Sequence, residues 1–157
     1  MKSVAITEAG SILGVGMNNK LYSRDHIDAN WIKSPNDHGE VQSIAIMSNG
    51  TTILGVGMDH KLYTRTDINA SWVKAPDRGG MVKSVAVTED DVSIGVGMDN
   101  KLYTRENLYA SWVKAPDYGQ VTDITILKNG AILGIGEQRI FLPFFIIPIR
   151  PFGFATS

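Results

Sequence analysis

Eleven letters are written three times in this chain: GVGMNNKLYSR from Gly14, GVGMDHKLYTR from Gly55 and GVGMDNKLYTR from Gly95. A reduced form opens at Gly134. Gly14, Gly55, Gly95 and Gly134 are 41, 40 and 39 residues apart, and Trp31, Trp72 and Trp112 follow the same spacing of 41 and 40. A period of this size means that one supersecondary unit is stacked on copies of itself, because a single unit cannot bury its own apolar face. The units fall at about 1–40, 41–80, 81–120 and 121–157, all within a single repeat domain of 157 residues, a length that suits one core.

Inside a unit the pattern is entirely strand. In the third copy VKSVAVT, VSIGVGM and KLYTR each alternate apolar with small or polar residues, and SWVKAP is a short fourth strand closed by Pro116. Asp99-Asn100 makes the turn between the second and third strands, a pair that tolerates left-handed backbone. Four strands per unit and four units predict an all-β β-propeller whose last blade is incomplete or divergent. A β-trefoil shares the four-stranded unit but needs three units, and the regular start of a fourth argues against it. Alternation puts Ile94, Val96 and Met98 on a bulky face and Gly95 and Gly97 on a shaved one. An in-register first strand would add Ser84 and Ala86 to the shaved face. Bulky against shaved, sheet after sheet, requires the same letters in every unit.

Composition excludes more than it suggests. A formal charge of -1 leaves no footprint for nucleic acid or an anionic membrane, and zero cysteines rule out disulfides and thiolate sites. The chain reaches Glu8 before any apolar run long enough for a signal peptide, so it reads as cytoplasmic, while secretion stays open. Asn49-Gly50-Thr51 and Asn69-Ala70-Ser71 match the glycosylation triplet, which matters only in a secretory route. His26, His38 and His60 stand at non-equivalent repeat positions, no pair has metal-ligand spacing, and no calcium loop is present. Catalysis needs different groups converging on one reacting atom, whereas this chain repeats one constellation. The expectation is a protein that is not an enzyme, with no metal and no cofactor.

The order of a Gly-Val-Gly strand, a hairpin, Leu-Tyr-x-Arg and Trp-Val-Lys-x-Pro resembles the tectonin-type repeat of β-propeller lectins related to the tectonins and tachylectins. The likeness runs from Met1 to about Gly136, and departs from that family in lacking a Trp within the Gly-Val strand. It implies a multivalent, lectin-like module with shallow sites between blades and glycans as partners, amino-sugars or microbial surface glycans among them. The alternative is a structural or protein-interaction scaffold without glycan binding.

What repeats and is polar or aromatic supplies the candidate site. Trp31, Trp72 and Trp112 offer either a stacking face for a sugar or blade core. Tyr22, Tyr63 and Tyr103 carry the same two readings. Arg24, Arg65 and Arg105 are ligand donors or ordinary surface charges, as are Lys33, Lys74 and Lys114. Asn36, Asp77 and Asp117 each follow a proline, which is also plain turn chemistry. The resemblance places sugars at the loops that carry them, where Gly39, Gly79, Gly80 and Gly119 would allow close approach.

The fourth unit breaks its own pattern. Arg139-Ile140-Phe141 can stand for Lys-Leu-Tyr, but FLPFFIIPIRPFGFATS has no Trp and three prolines, too short and broken for a membrane span. An incomplete ring and the apolar run from Phe141 to Ile149 predict a homo-oligomer or part of a larger assembly.

Overall fold

A computed structural model describes residues 1–36, 38–116, 119–136 and the strand at 144–147. Those residues form fifteen strands and no helix. The first sheet is β1 (Ser3–Ile6), β2 (Ile12–Val15), β3 (Leu21–Arg24) and β4 (Ile32–Lys33), antiparallel in that order. The second repeats it with β5 (Val41–Ile46), β6 (Ile53–Gly57), β7 (Leu62–Arg65) and β8 (Val73–Lys74), and the third with β9 (Val82–Val87), β10 (Ser93–Gly97), β11 (Leu102–Arg105) and β12 (Val113–Lys114). The fourth holds β13 (Val121–Ile126), β14 (Ile132–Gly136) and β15 (Phe144–Ile147).

The turn between the second and third strands is built as its residues dictate. Asn19, His60 and Asn100 occupy one equivalent position, each at a φ between 62° and 65°, the left-handed region that Asn tolerates best. This position also joins the sheets. The amides of Val41, Val82 and Val121 donate to the carbonyls of Asn19, His60 and Asn100 at 3.0, 3.1 and 2.9 Å, so each first strand is tied to the turn of the sheet before it. A second tie runs through serine: the Ile44 amide donates to Ser3 Oγ at 3.1 Å and the Val85 amide to Ser43 Oγ at 3.2 Å. In the next joint Ser84 Oγ donates to Asp123.

The cores lie between sheets. Leu13, Val15 and Leu21 of the first sheet cluster with Val41, Ile44 and Ile53 of the second. Leu54, Val56 and Leu62 meet Val82 and Val85 of the third, and Ile94 and Val96 meet Val121, Ile124 and Ile132 of the fourth. Each such side chain contributes about 1.5–3 kcal/mol when fully buried, and none of these clusters is complete within one sheet.

Three sequence expectations need correction. Residues directly opposite in an antiparallel pair share a face, and the register pairs Ile94 with Ala86, Val96 with Ser84 and Gly95 with Val85. Ser84 and Ala86 therefore lie on the bulky face and Val85 on the glycine face. Met98 is not part of the bulky face either; β10 ends at Gly97 and Met98 stands exposed in the turn. The third correction concerns what fills the shaved face: it is the sheet's own Trp rather than bare contact with the neighbour. A Cβ on Gly95 would lie 2.9 Å from Trp112 Cη2, and one on Gly14 would lie 2.9 Å from Trp31 Cη2. The filled face then packs on the preceding sheet, which is why Trp72 and Trp112 join the inter-sheet clusters.

In the fourth sheet Ile135 is paired with Phe144, the place that Leu102 takes opposite Val96 in the third. The third strand is thus Phe144–Ile147 rather than Arg139-Ile140-Phe141, which lie outside the described residues, as does the rest of the apolar run beyond Ile147.

Candidate functional site

Each Trp precedes a two-residue outer strand and turns back across its own sheet, remaining half-buried. For Trp72 and Trp112 the other edge meets the preceding sheet's outgoing loop. A Cβ on Gly39 would stand 3.1 Å from Trp72 Cδ1, and one on Gly80 would stand 2.9 Å from Trp112 Cδ1. Both glycines have positive φ, 93° and 74°, so the loop bends there and leaves room for the indole. Arg24, Arg65 and Arg105 lie over Trp31, Trp72 and Trp112 with Cζ 4.5, 5.6 and 5.8 Å from the ring centroids, a cation–π arrangement.

Arg65 and Arg105 are not surface charges. Arg65 is 2% exposed and Arg105 3%. Arg65 Nη2 donates to Ser34 Oγ at 2.5 Å, to the Ile68 carbonyl at 2.6 Å and to the Asn36 carbonyl at 3.2 Å, while its Nε reaches the Asp67 carbonyl at 3.2 Å. Arg105 Nη2 donates to the carbonyls of Pro76 at 2.7 Å and Leu108 at 2.6 Å. Each side chain ties its own loop to the loop leaving the sheet before it. Burial lowers both guanidinium pKa values, while the donors of the fork that face carbonyls support the charged form.

The loop residues after proline divide. Asn36 Nδ2 donates across the joint to Ser71 Oγ at 2.7 Å, so Asn36, Arg65 and Trp72 come together although they belong to two units. Asp77 is exposed and receives Lys61 Nζ at 3.3 Å and the Gly79 amide at 3.0 Å; the amide and then the lysine hold its pKa below the ordinary value. Asp117 lies outside the described residues. Asn36 Oδ1, Arg24 Nε and Arg105 Nε are buried without a hydrogen-bond partner among the described residues.

One constellation was missed. Tyr63 Oη donates to Asp59 Oδ2 at 3.0 Å, and Lys74 Nζ donates to the same oxygen at 3.1 Å. Tyr103 and Lys114 meet Asp99 Oδ2 at 2.8 and 3.4 Å. Partial burial opposes ionisation of Asp59, but the bonds from Lys74, the Lys61 amide and Tyr63 outweigh it and lower the pKa. Asp99 is lowered in the same way. In the first unit Asn18 Nδ2 donates to Tyr22 Oη instead. Asp four residues before Tyr, across a tight turn, was the available signal.

The innermost strands β1, β5, β9 and β13 line a cavity of about 420 Å³. Among the described residues no three His, Cys, Asp or Glu side chains gather as metal ligands, and no helix is long and apolar enough to cross a membrane.

No family model and no curated protein matches the sequence. Solved structures do. YCF48 bound to D1 peptide superposes with a TM-score of 0.57 at 15% identity, over 86% of this chain and 45% of that one. Kuenenia stuttgartiensis hydrazine synthase gives a TM-score of 0.64 at 10% identity, over 92% of this chain and 44% of that one. Both neighbours are β-propellers. The fold is a β-propeller. Its four sheets are blades of about forty residues, the fourth divergent, and the chain spans less than half the length of either neighbour.

Proposed function

We propose that this propeller segment is a non-catalytic interaction scaffold that holds a polypeptide segment. The carrying observation is which repeated residues remain on the surface. Arg65, Arg105 and the Trp rings are occupied within the joints, whereas Met17, Met58 and Met98 stand exposed at one equivalent turn position in successive blades. Methionine is unbranched and polarizable, and a row of exposed methionines suits an adaptable apolar contact better than it suits a sugar. The bound peptide of YCF48 is in keeping with this reading. The scaffold also associates, with a further copy or within a larger assembly. A displayed peptide library selected against the parent and counter-selected against the Met17→Ser/Met58→Ser/Met98→Ser variant tests the assignment. Enrichment that the triple variant loses, with unfolding unchanged, supports it; enrichment that survives in the variant contradicts it.

A second reading keeps the tectonin-type resemblance: a multivalent lectin with pockets at the joints. It is favoured by the half-exposed Trp rings beneath arginines and by the unpartnered Asn36 Oδ1 and Arg105 Nε, a polar and aromatic pairing that fits a sugar. Titration of clustered and single N-acetylglucosamine against the parent and Asp77→Ala separates the two. Avidity of about 10²–10⁴ over the single sugar, weakened in the variant, would favour the lectin.

A further inference from the structure

We infer that the outer face of the first blade docks on the outer face of the fourth blade of a second copy, head to tail, so that two chains close one ring. The three internal joints define what each face needs. On the side that meets the preceding blade, Ile44, Val85 and Ile124 are 4, 3 and 8% exposed, while Val4 at the same position is 54% exposed. On the side that meets the following blade, Val15, Val56 and Val96 are fully buried, while Ile135 at the same position is 49% exposed. Ile6 beside Val4 is exposed as well. The two open faces are therefore the two halves of a joint that the chain already makes three times.

Polar groups repeat the relation. Arg65 and Arg105 donate into the loop leaving the preceding blade. Arg24 has the same place in the first blade, where no described blade precedes it. Its Nη1 reaches the Ala29 carbonyl of its own loop at 3.5 Å, and among the described residues it makes no bond to the loop of another blade. β1 meets β5, β5 meets β9 and β9 meets β13, whereas no contact of similar extent joins β13 to β1. A heterologous contact of this kind closes when the rotations sum to a full turn. Four blades per chain set the stoichiometry at two, because eight blades lie within the four to eight of a closed propeller and a third copy would exceed them.

This deepens the association part of the scaffold reading and rests on it, while peptide binding stands or falls separately by the library selection. The experiment is sedimentation equilibrium on the parent, on Val4→Asp, on Ile135→Asp and on an equimolar mixture of the two variants. Both substituted side chains are exposed in the single chain, so thermal unfolding at low concentration is expected to match the parent and confirms folding. The parent should have twice the chain mass, and each variant alone should associate at least tenfold more weakly. The mixture should regain a species of two chains, because the variants retain one intact face each and these complement one another. A parent that stays monomeric at high concentration overturns the inference and assigns these faces to other partners. A dimer that survives either substitution, or variants whose mixture associates no better than each alone, overturns it too.

Discussion

Trp72 stands over Gly55, its ring Cη2 2.7 Å and Cζ3 2.8 Å from the point a Cβ on Gly55 would occupy. The ring is rigid and held on its far side by Gly39 and by the first blade's apolar cluster, so it cannot step aside. Gly55→Val is expected to cost about 1–3 kcal/mol through overpacking, and Gly95→Val the same through Trp112 and Val82. Thermal unfolding should fall by about 2–4 °C for each kcal/mol lost. Parent-like melting would show that the Trp does not occupy the glycine recess.

Arg65→Ala should destabilise by about 3 kcal/mol, because Ser34 and the carbonyls of Asn36, Ile68 and Asp67 lose a buried donor together. Arg65→Lys should recover less than half of that, since one ammonium cannot span acceptors arranged for a fork. Lys74→Ala, on the exposed rim, should change stability by no more than about 0.5 kcal/mol. Urea unfolding of the three variants checks the order.

The acid limb of stability has a definite sign. Asp59, Asp77 and Asp99 are held below the ordinary 3.8 of an aspartate, so the unfolded chain takes up protons first as pH falls. Their contribution is complete above the usual carboxylate range and fades as pH drops from about 4 through the lowered values. Asp59→Asn/Asp99→Asn should flatten that limb in urea midpoints. Tyr63 and Tyr103 are raised, by burial and Asp59 in the first case and by Asp99 and burial in the second. Their contribution is present below pH about 10 and is lost as pH rises through the raised values.

Much of the blade was legible because the forces behind it are local. Alternation set the strands, and Asn19, His60 and Asn100 took the left-handed turn that the Asp-Asn pair announced. Register was not legible, because which residue of β9 stands opposite Val96 is settled by the pairing of two strands, and a shift between Val96 and Gly97 then sets Val82 opposite Gly97; no single-strand pattern contains either. The burial of Arg65 and Arg105 was not legible for a related reason. An arginine at the end of a strand is ordinarily solvated, and Arg65 and Arg105 become interior residues because another blade's loop closes over them and adds its acceptors to those of their own loop. The repeat shows the Trp as one side chain per unit, whereas Trp72 and Trp112 each bridge their own unit's glycine and the preceding unit's loop.

The repeat makes one joint three times, and native-state hydrogen exchange reads that joint directly. The amides of Val41, Val82 and Val121 donate to the turn of the preceding blade, so their protection measures blade stacking rather than sheet formation. They should be protected to the same degree as amides inside β6 and β10. Exchange of all three at the rate of open loops, while β6 and β10 stay protected, would contradict it.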